Sequence, residues 1–251
     1  MSLPLFVVGP PALRAAEPGS AVVLDGDEGR HAASVRRVRA GERVDVADGA
    51  GRVARCLVDR AERDRLMLTV EAVRDVSPRL PRLVLVQALA KGGRDEFAVE
   101  TATEFGVDAV VPWQAARSIV RWEGGPADRG DRGRRRWEAT ALAAAKQSRR
   151  PAVPAVEPLV TTAGLAQRAA AGECVLVLHE DAVHPLSTTP LPGDAVSILL
   201  AVGPEGGIGG DELTALTAAG ARPVRLGPEV LRSSSAGPAA LAVLSVRLGR
   251  W

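Results

Sequence analysis

The chain has 251 residues, 46% hydrophobic and 25% charged, which is the composition of an ordinary globular protein with room for one large domain or two modest ones. Its apolar stretches, such as Val196 to Val202, are far too short to cross a bilayer, and no secretory pattern opens the sequence, so a cytoplasmic protein is expected. Cys56 and Cys174 stand far apart without metal-ligand spacing, which argues against a disulfide framework and a zinc site.

The net charge is only +2, but Lys91 and Lys146 are the only lysines, so nearly all positive charge is arginine. Arg30, Arg36, Arg37, Arg39 and Arg43 crowd around His31; Arg129, Arg132, Arg134, Arg135 and Arg136 form a second cluster, and Arg149-Arg150 a pair. A guanidinium fork suits phosphate, so the clusters read as footprints for an anionic polymer, or equally as solvated surface.

In chain order, residues 1–76 read as strand-rich. Ala21–Leu24, Arg43–Val46 and Leu66–Val70 are short apolar segments punctuated by Gly/Asp turns, which predicts a small β-barrel-like domain. Ser77 to Pro81 reads as a linker, and a second domain is expected over 77–251. There Leu83–Leu89 is a buried-strand run, Arg94–Phe105 a helix ended by Gly106, and Ala109–Pro112 a strand. Gly124 to Gly133 is expected to be a mobile loop, and Trp137–Ser148 a helix. Val175–Leu178 and Val196–Val202 are strands, Asp211–Ala219 a helix capped by Gly220, Val224–Leu226 a strand and Ala236–Leu248 the last helix. This alternation predicts an α/β domain with a largely parallel sheet.

Two stretches stand out. In "LLAVGPEGGIGGDEL" a buried strand ends in Gly203-Pro204-Glu205-Gly206-Gly207, and in "RLGPEVLRSSSAGPAAL" a strand ends in Leu226-Gly227-Pro228 before Leu231-Arg232 and three serines. Glycine lets backbone N–H groups meet a ligand closely, and strand carboxyl ends are where α/β sheets bind ligands. Neither stretch is a dinucleotide fingerprint or a P-loop, so each alone also reads as a turn. Two of them could wall one pocket. N-capping accounts for Ser234 or Ser235 but not for Arg232.

These stretches, with "GRHAASVRRVRAGERVDVADGAG", "VQALAKGGRDEFAVETATEFGVDAVVPW" and "AAAKQSRRPAVP" in the same order, resemble the SPOUT-class RNA methyltransferases. The nearest resemblance is to the RsmE type, which methylates N3 of a uridine in 16S ribosomal RNA. It implies a PUA-like β-barrel RNA-binding domain followed by an α/β SPOUT domain with a C-terminal trefoil knot, working as a homodimer on the 30S subunit without metal or membrane.

For S-adenosylmethionine it implies walls from Leu178, His179 and Ala201, from Gly203, Pro204, Glu205, Gly206 and Gly207, from Leu226, Gly227 and Pro228, and from Leu231, Ser233, Ser235 and Ala236. RNA contacts are expected from His31, Arg36, Arg37, Arg39, Lys91, Gln147 and Arg150. Arg232 is the candidate catalytic residue, aimed at charge developing on the uracil oxygens, or else a structural partner of Glu205 or Glu229. Where the family has an acid this chain has Ser234, so no general base carries over. Methylation of a ribose 2′-oxygen or of tRNA, and a non-catalytic assembly role, are the competing readings.

Overall fold

The computed structural model describes residues 3–124 and 128–251. The chain divides into two compact units: residues up to Pro78 together with Ala145–Val153, and Arg79–Ala144 together with Pro154–Trp251.

The first unit is built on a five-stranded sheet. Strands β1 (Leu5–Val7), β2 (Ala21–Leu24), β3 (Arg43–Ala47), β4 (Arg52–Ala61) and β5 (Leu66–Asp75) lie in the order β1-β3-β4-β5-β2. Only β1 and β3 run parallel; the other pairs are antiparallel. Alternating residues of β3 and β5 face one core containing Phe6, Val44, Val46, Leu66, Leu68 and Val70. The sequence pattern hides β4 because Arg52, Arg55, Asp59 and Arg60 interrupt its apolar positions. In the fold those charges have partners: Arg55 pairs with Asp45 at 3.3 Å, and Arg52 donates to Asp75 and to the carbonyls of Leu13 and Ala16. Helix α1 (Gly26–Arg30) continues into a π-helical turn, His31–Val35, and its Glu28 accepts from the Val7 N–H and from Lys146 Nζ.

The second unit is a parallel sheet with helices on both faces. Its elements are β6 (Arg82–Ala88), α2 (Arg94–Glu104), β7 (Ala109–Gln114), α3 (Arg129–Gln147), β8 (Ala155–Val156), β9 (Val160–Thr161) and α4 (Thr162–Ala170). There follow β10 (Cys174–Leu178), β11 (Ser197–Val202), α5 (Gly210–Ala218), β12 (Arg222–Val224) and α6 (Ser233–Arg247); the last three residues of α3 fall in the first unit's segment. The strand order is β12-β10-β11-β6-β7-β8, with β9 also on β7. Central β6 and β11 are almost wholly buried, as covered parallel strands should be. Leu165 of α4 and Leu216 of α5 pack on Val84, Val86 and Leu199. On the opposite face Gly237 of α6 lies against Leu85, where a Cβ would sit 2.7 Å from the leucine Cδ1.

Three local expectations change. Residues 129–133 of the expected loop are helical, while 125–127 lie outside the described residues. The glycine there is a packing residue: a Cβ on Gly133 would lie 2.3 Å from the Trp122 ring, which meets Trp137 edge-on at 5.5 Å. The strand expected at 224–226 is Arg222–Val224, because Leu176, Val177 and Leu178 of β10 pair with those residues. The last helix starts three residues early, so the three serines fill its first turn and Arg232 occupies the N-cap without a side-chain cap bond. Serine capping is therefore not what the triplet does.

Gly133→Ala should force Trp122 off its seat and destabilise the chain by about 1–3 kcal/mol, read from the urea midpoint. An unchanged midpoint would mean that Trp122 moves at no cost.

Candidate functional site

A parallel sheet puts the carboxyl ends of all its strands on one edge, and a cavity of about 530 Å³ opens there. Leu178, His179 and Glu180 leave β10 into it, Val202 to Ile208 leave β11, and Val230 to Ser233 with Ala236 bring the entry of α6. Arg94 and Arg117 complete the lining. A neighbouring hollow of about 80 Å³ shares Leu178, His179, Glu180, Val230, Leu231 and Ala236, and adds Leu226 and Gly227. Both Gly-Pro loops thus border adjoining space. Of the expected cofactor residues, Ala201, Pro228 and Ser235 line neither hollow; Ala201 is in the sheet core and Ser235 is exposed on α6.

The 203–209 loop is held on three sides. Gly203 has no room for a side chain, since a Cβ there would stand 2.6 Å from Ile208 Cγ1. Gly207 closes a turn with φ +70°, its N–H donating to the Pro204 carbonyl at 2.9 Å. Arg94 Nη1 donates to Glu205 Oε1 at 2.9 Å, and Arg117 Nη1 donates to the Gly206 carbonyl at 2.9 Å. Burial opposes charge on Glu205, but hydrogen bonds from backbone N–H groups, its own and that of Lys91, and from Arg94 outweigh it, holding the carboxyl below the usual glutamate range. Glu205 is thereby the partner of Arg94, not of Arg232.

The deepest anchor is Glu212, buried in the first turn of α5. Its Oε1 accepts from the Ala116 N–H at 2.8 Å and from the Thr162 hydroxyl, which in turn accepts from Trp113 Nε1 at 3.2 Å. Its Oε2 accepts from the Gly209 N–H at 3.3 Å. The one sequence signal for this is an acid three residues into a helix after a glycine N-cap. Nothing in the sequence marks Arg117.

Arg232 is exposed at the cavity, and none of the described ion pairs includes it. Ser233 Oγ is buried without a hydrogen-bond partner and lines the same cavity. Ser234 is buried in α6. Cys56, the most perturbed thiol, has its pKa pushed up to about 12, chiefly by burial, and is not a nucleophile at neutral pH.

The basic clusters differ sharply. Arg132 pairs with Asp128, Arg134 with Glu138 and Arg136 with Glu96, so most of the α3 cluster is neutralised. In the first unit Arg36, Arg37 and Arg39 are exposed and enter no described ion pair, while buried Val38 anchors their segment. Arg37 adopts φ +55°, a conformation that arginine rarely takes. His31 is half-buried with its ring 6.3 Å from Phe6, edge-on. Gln147 is exposed at the end of α3, and Arg150 is half-buried. Lys91 borders a separate hollow of about 250 Å³ with Trp122 and Arg129.

Residues 78–245 match the RNA methyltransferase domain family, and residues 24–71 match the RNA methyltransferase PUA domain family. The chain is 49% identical over 237 residues to the Ribosomal RNA small subunit methyltransferase E of Mycobacterium bovis, covering 93% of this chain and 89% of that one. It is 29% identical to the Bacillus subtilis protein of the same name, over 88% of each. Among solved structures, a Ribosomal RNA small subunit methyltransferase E from Neisseria gonorrhoeae bound to S-adenosyl methionine superposes with a TM-score of 0.83, at 26% identity and 98% coverage of both chains. Among the described residues no helix is long and apolar enough to cross a membrane.

Two outcomes follow from the bracing. Glu212→Ala strips the Ala116 and Gly209 N–H groups of their acceptor and should cost about 1–3 kcal/mol in urea unfolding; a cost near zero would show the carboxylate to be replaceable by water. Because the folded pKa of Glu205 lies below its unfolded value, its stabilising contribution is complete above the ordinary range near about 4.3 and is lost as pH falls through the lowered value. Glu205→Gln should remove that acid-limb component from stability measured between roughly pH 3 and 6.

Proposed function

The chain belongs to the RNA methyltransferases that carry a PUA domain, and from that premise we propose that it methylates N3 of a specific uridine in 16S ribosomal RNA, with S-adenosylmethionine as donor. The observation that carries this reading is the cavity at the strand ends, lined by the 203–207 loop and the entry of α6, with the second Gly-Pro loop bordering the hollow beside it. Its volume falls within the range of about 300–1,000 Å³ usual for small-molecule sites. The residues suit the donor: glycine backbone for the adenine edge, the orphaned Ser233 hydroxyl for a polar group, and both acids and guanidinia for a ligand carrying both signs. The Neisseria relative, solved with that molecule bound, supports the same choice.

When bound, S-adenosylmethionine supplies an electrophilic methyl group on a sulfonium. The protein's share is placement and charge. A uracil N3–H is a weakly acidic imide, and as it loses its proton negative charge spreads to O2 and O4. Arg232 lines the cavity and enters none of the described ion pairs, so its guanidinium is available to that charge. Ser234 cannot serve as a base, and the proton leaves to water or to the RNA itself. Exposed Arg36, Arg37 and Arg39, with His31, Lys91, Gln147 and Arg150, hold RNA by phosphate contacts that position without reading sequence. The acting form is a cytoplasmic homodimer.

The decisive experiment incubates the protein with labelled donor and 30S subunits lacking the modification, then identifies the product nucleoside by mass spectrometry. N3-methyluridine is expected; 2′-O-methyl nucleosides or no product would overturn the reading. Arg232→Ala should lower kcat by about 10²–10³ while donor affinity stays within about twofold, and unchanged turnover would remove Arg232 from the chemistry. Reversing charge at Arg36 and Arg37 should weaken rRNA binding and flatten its salt dependence by about two units of slope. An unchanged slope would return both to the solvated surface.

A further inference from the structure

Resting on the donor reading above, we propose that Arg117 is the anchor for the carboxylate of the donor's amino-acid tail and sets the cavity's selectivity for a ligand carrying that tail. Three guanidinia line the cavity, and they are not equivalent. Arg94 is committed to Glu205 at 2.9 Å. Arg232 stands at the entry of α6, on the substrate side of the assignment made above. Arg117 spends one donor on the neutral Gly206 carbonyl, and no described carboxylate pairs with it. A guanidinium has five N–H donors in one plane, so most of its hydrogen-bonding capacity remains open.

The mount is rigid. Ala116, the preceding residue, has its N–H fixed on buried Glu212, and Ser118 donates from its backbone to Ala115 at 3.0 Å. The Arg117 side chain then runs along the cofactor loop. Side-chain positions built on Gly206 and Gly209 fall 3.5 Å from its Cβ and 3.8 Å from its Nε. The guanidinium is therefore set by the same carboxylate that sets the loop, which is the preorganisation a charge anchor needs.

Ligand chemistry selects the partner. Adenine and ribose are neutral, the sulfonium and the α-ammonium are cationic, and the carboxylate is the one anionic group of the molecule. Pairing Arg94 with Glu205 also keeps that acid from repelling a carboxylate bound nearby. A planar fork facing a planar carboxylate can form two parallel charge-assisted bonds.

The test is calorimetric titration of the full chain with S-adenosylhomocysteine and with 5′-methylthioadenosine, which has the same nucleoside but no amino-acid tail. Wild type should prefer the first. Arg117→Ala should weaken S-adenosylhomocysteine by about tenfold or more and leave methylthioadenosine within about twofold. Arg117→Lys should restore part of the loss, and Arg117→Gln, which can still reach the Gly206 carbonyl, should not. Equal weakening of both ligands would make Arg117 a loop brace and overturn the proposal. So would no change in either, or a loss confined to the KM for rRNA, which would assign the arginine to an RNA phosphate. If wild type binds neither nucleoside, the donor reading itself falls; preserved discrimination in Arg117→Ala defeats only the present inference.

Discussion

One buried carboxylate ties the cavity together. Glu212 belongs to α5, yet its two oxygens accept from the segment after β7, from the start of α4 and from the loop after β11. Taking an acid out of water is costly unless hydrogen bonds replace the water, and three donors do so here. The consequence is geometric. In a parallel sheet the loops at the carboxyl ends are separate pieces of chain, each free to choose its own conformation. A shared acceptor removes that freedom for the stretch 206–209 and for Ala116 together. The Gly206 carbonyl and the Arg117 guanidinium then meet at 2.9 Å as a result of the fold, not of a local turn preference.

The charges fall into two populations. Pairs such as Arg136–Glu96 and Arg134–Glu138 cancel most of the field of the α3 cluster. Such exposed pairs contribute little to stability, and they also take those arginines out of competition for an anionic polymer. Arg36, Arg37 and Arg39 have no such partners among the described ion pairs. The near-zero net charge of the chain thus conceals local differences, with three arginines of α3 matched and the 36–39 segment of the first unit outside the described ion pairs. Composition alone averages over those differences.

The buried strands were legible because Leu83–Leu89 and Val196–Val202 are covered on both faces and read as apolar runs, each broken by a single polar residue, Gln87 and Ser197. Helix α2 was legible up to Gly106, which ends it. What misled were residues whose reason lies across space. Gly133 looks like loop composition, but it is small because Trp122 occupies its side-chain volume. The serines look like caps, but the helix begins at Ser233, and it is the orphaned Ser233 hydroxyl that meets the cavity. Glycines 203 and 207 were readable as a tight loop, since what constrains them, Ile208 and the Pro204 carbonyl, is local in sequence. Arg117 and Glu212 were not, because each acts through a partner about fifty to a hundred residues away in sequence, as Arg117 to Gly206 and Glu212 to Thr162.

The absence of an acid at Ser234 bears on how such a site can work. A methyl transfer from a sulfonium needs an aligned donor and acceptor more than it needs a strong base, because holding two reactants in line removes most of the entropic barrier. Stabilising the imide anion lowers the cost of losing its proton to solvent before or during transfer. A site with a fixed loop and an arginine outside the described ion pairs, as proposed for Arg232, is consistent with that division of labour. The burden then rests on rigidity, and rigidity in this cavity comes from Glu212, the Arg94–Glu205 pair and the crowded Gly203. A serine at position 234 leaves all three intact, since none of them passes through that residue.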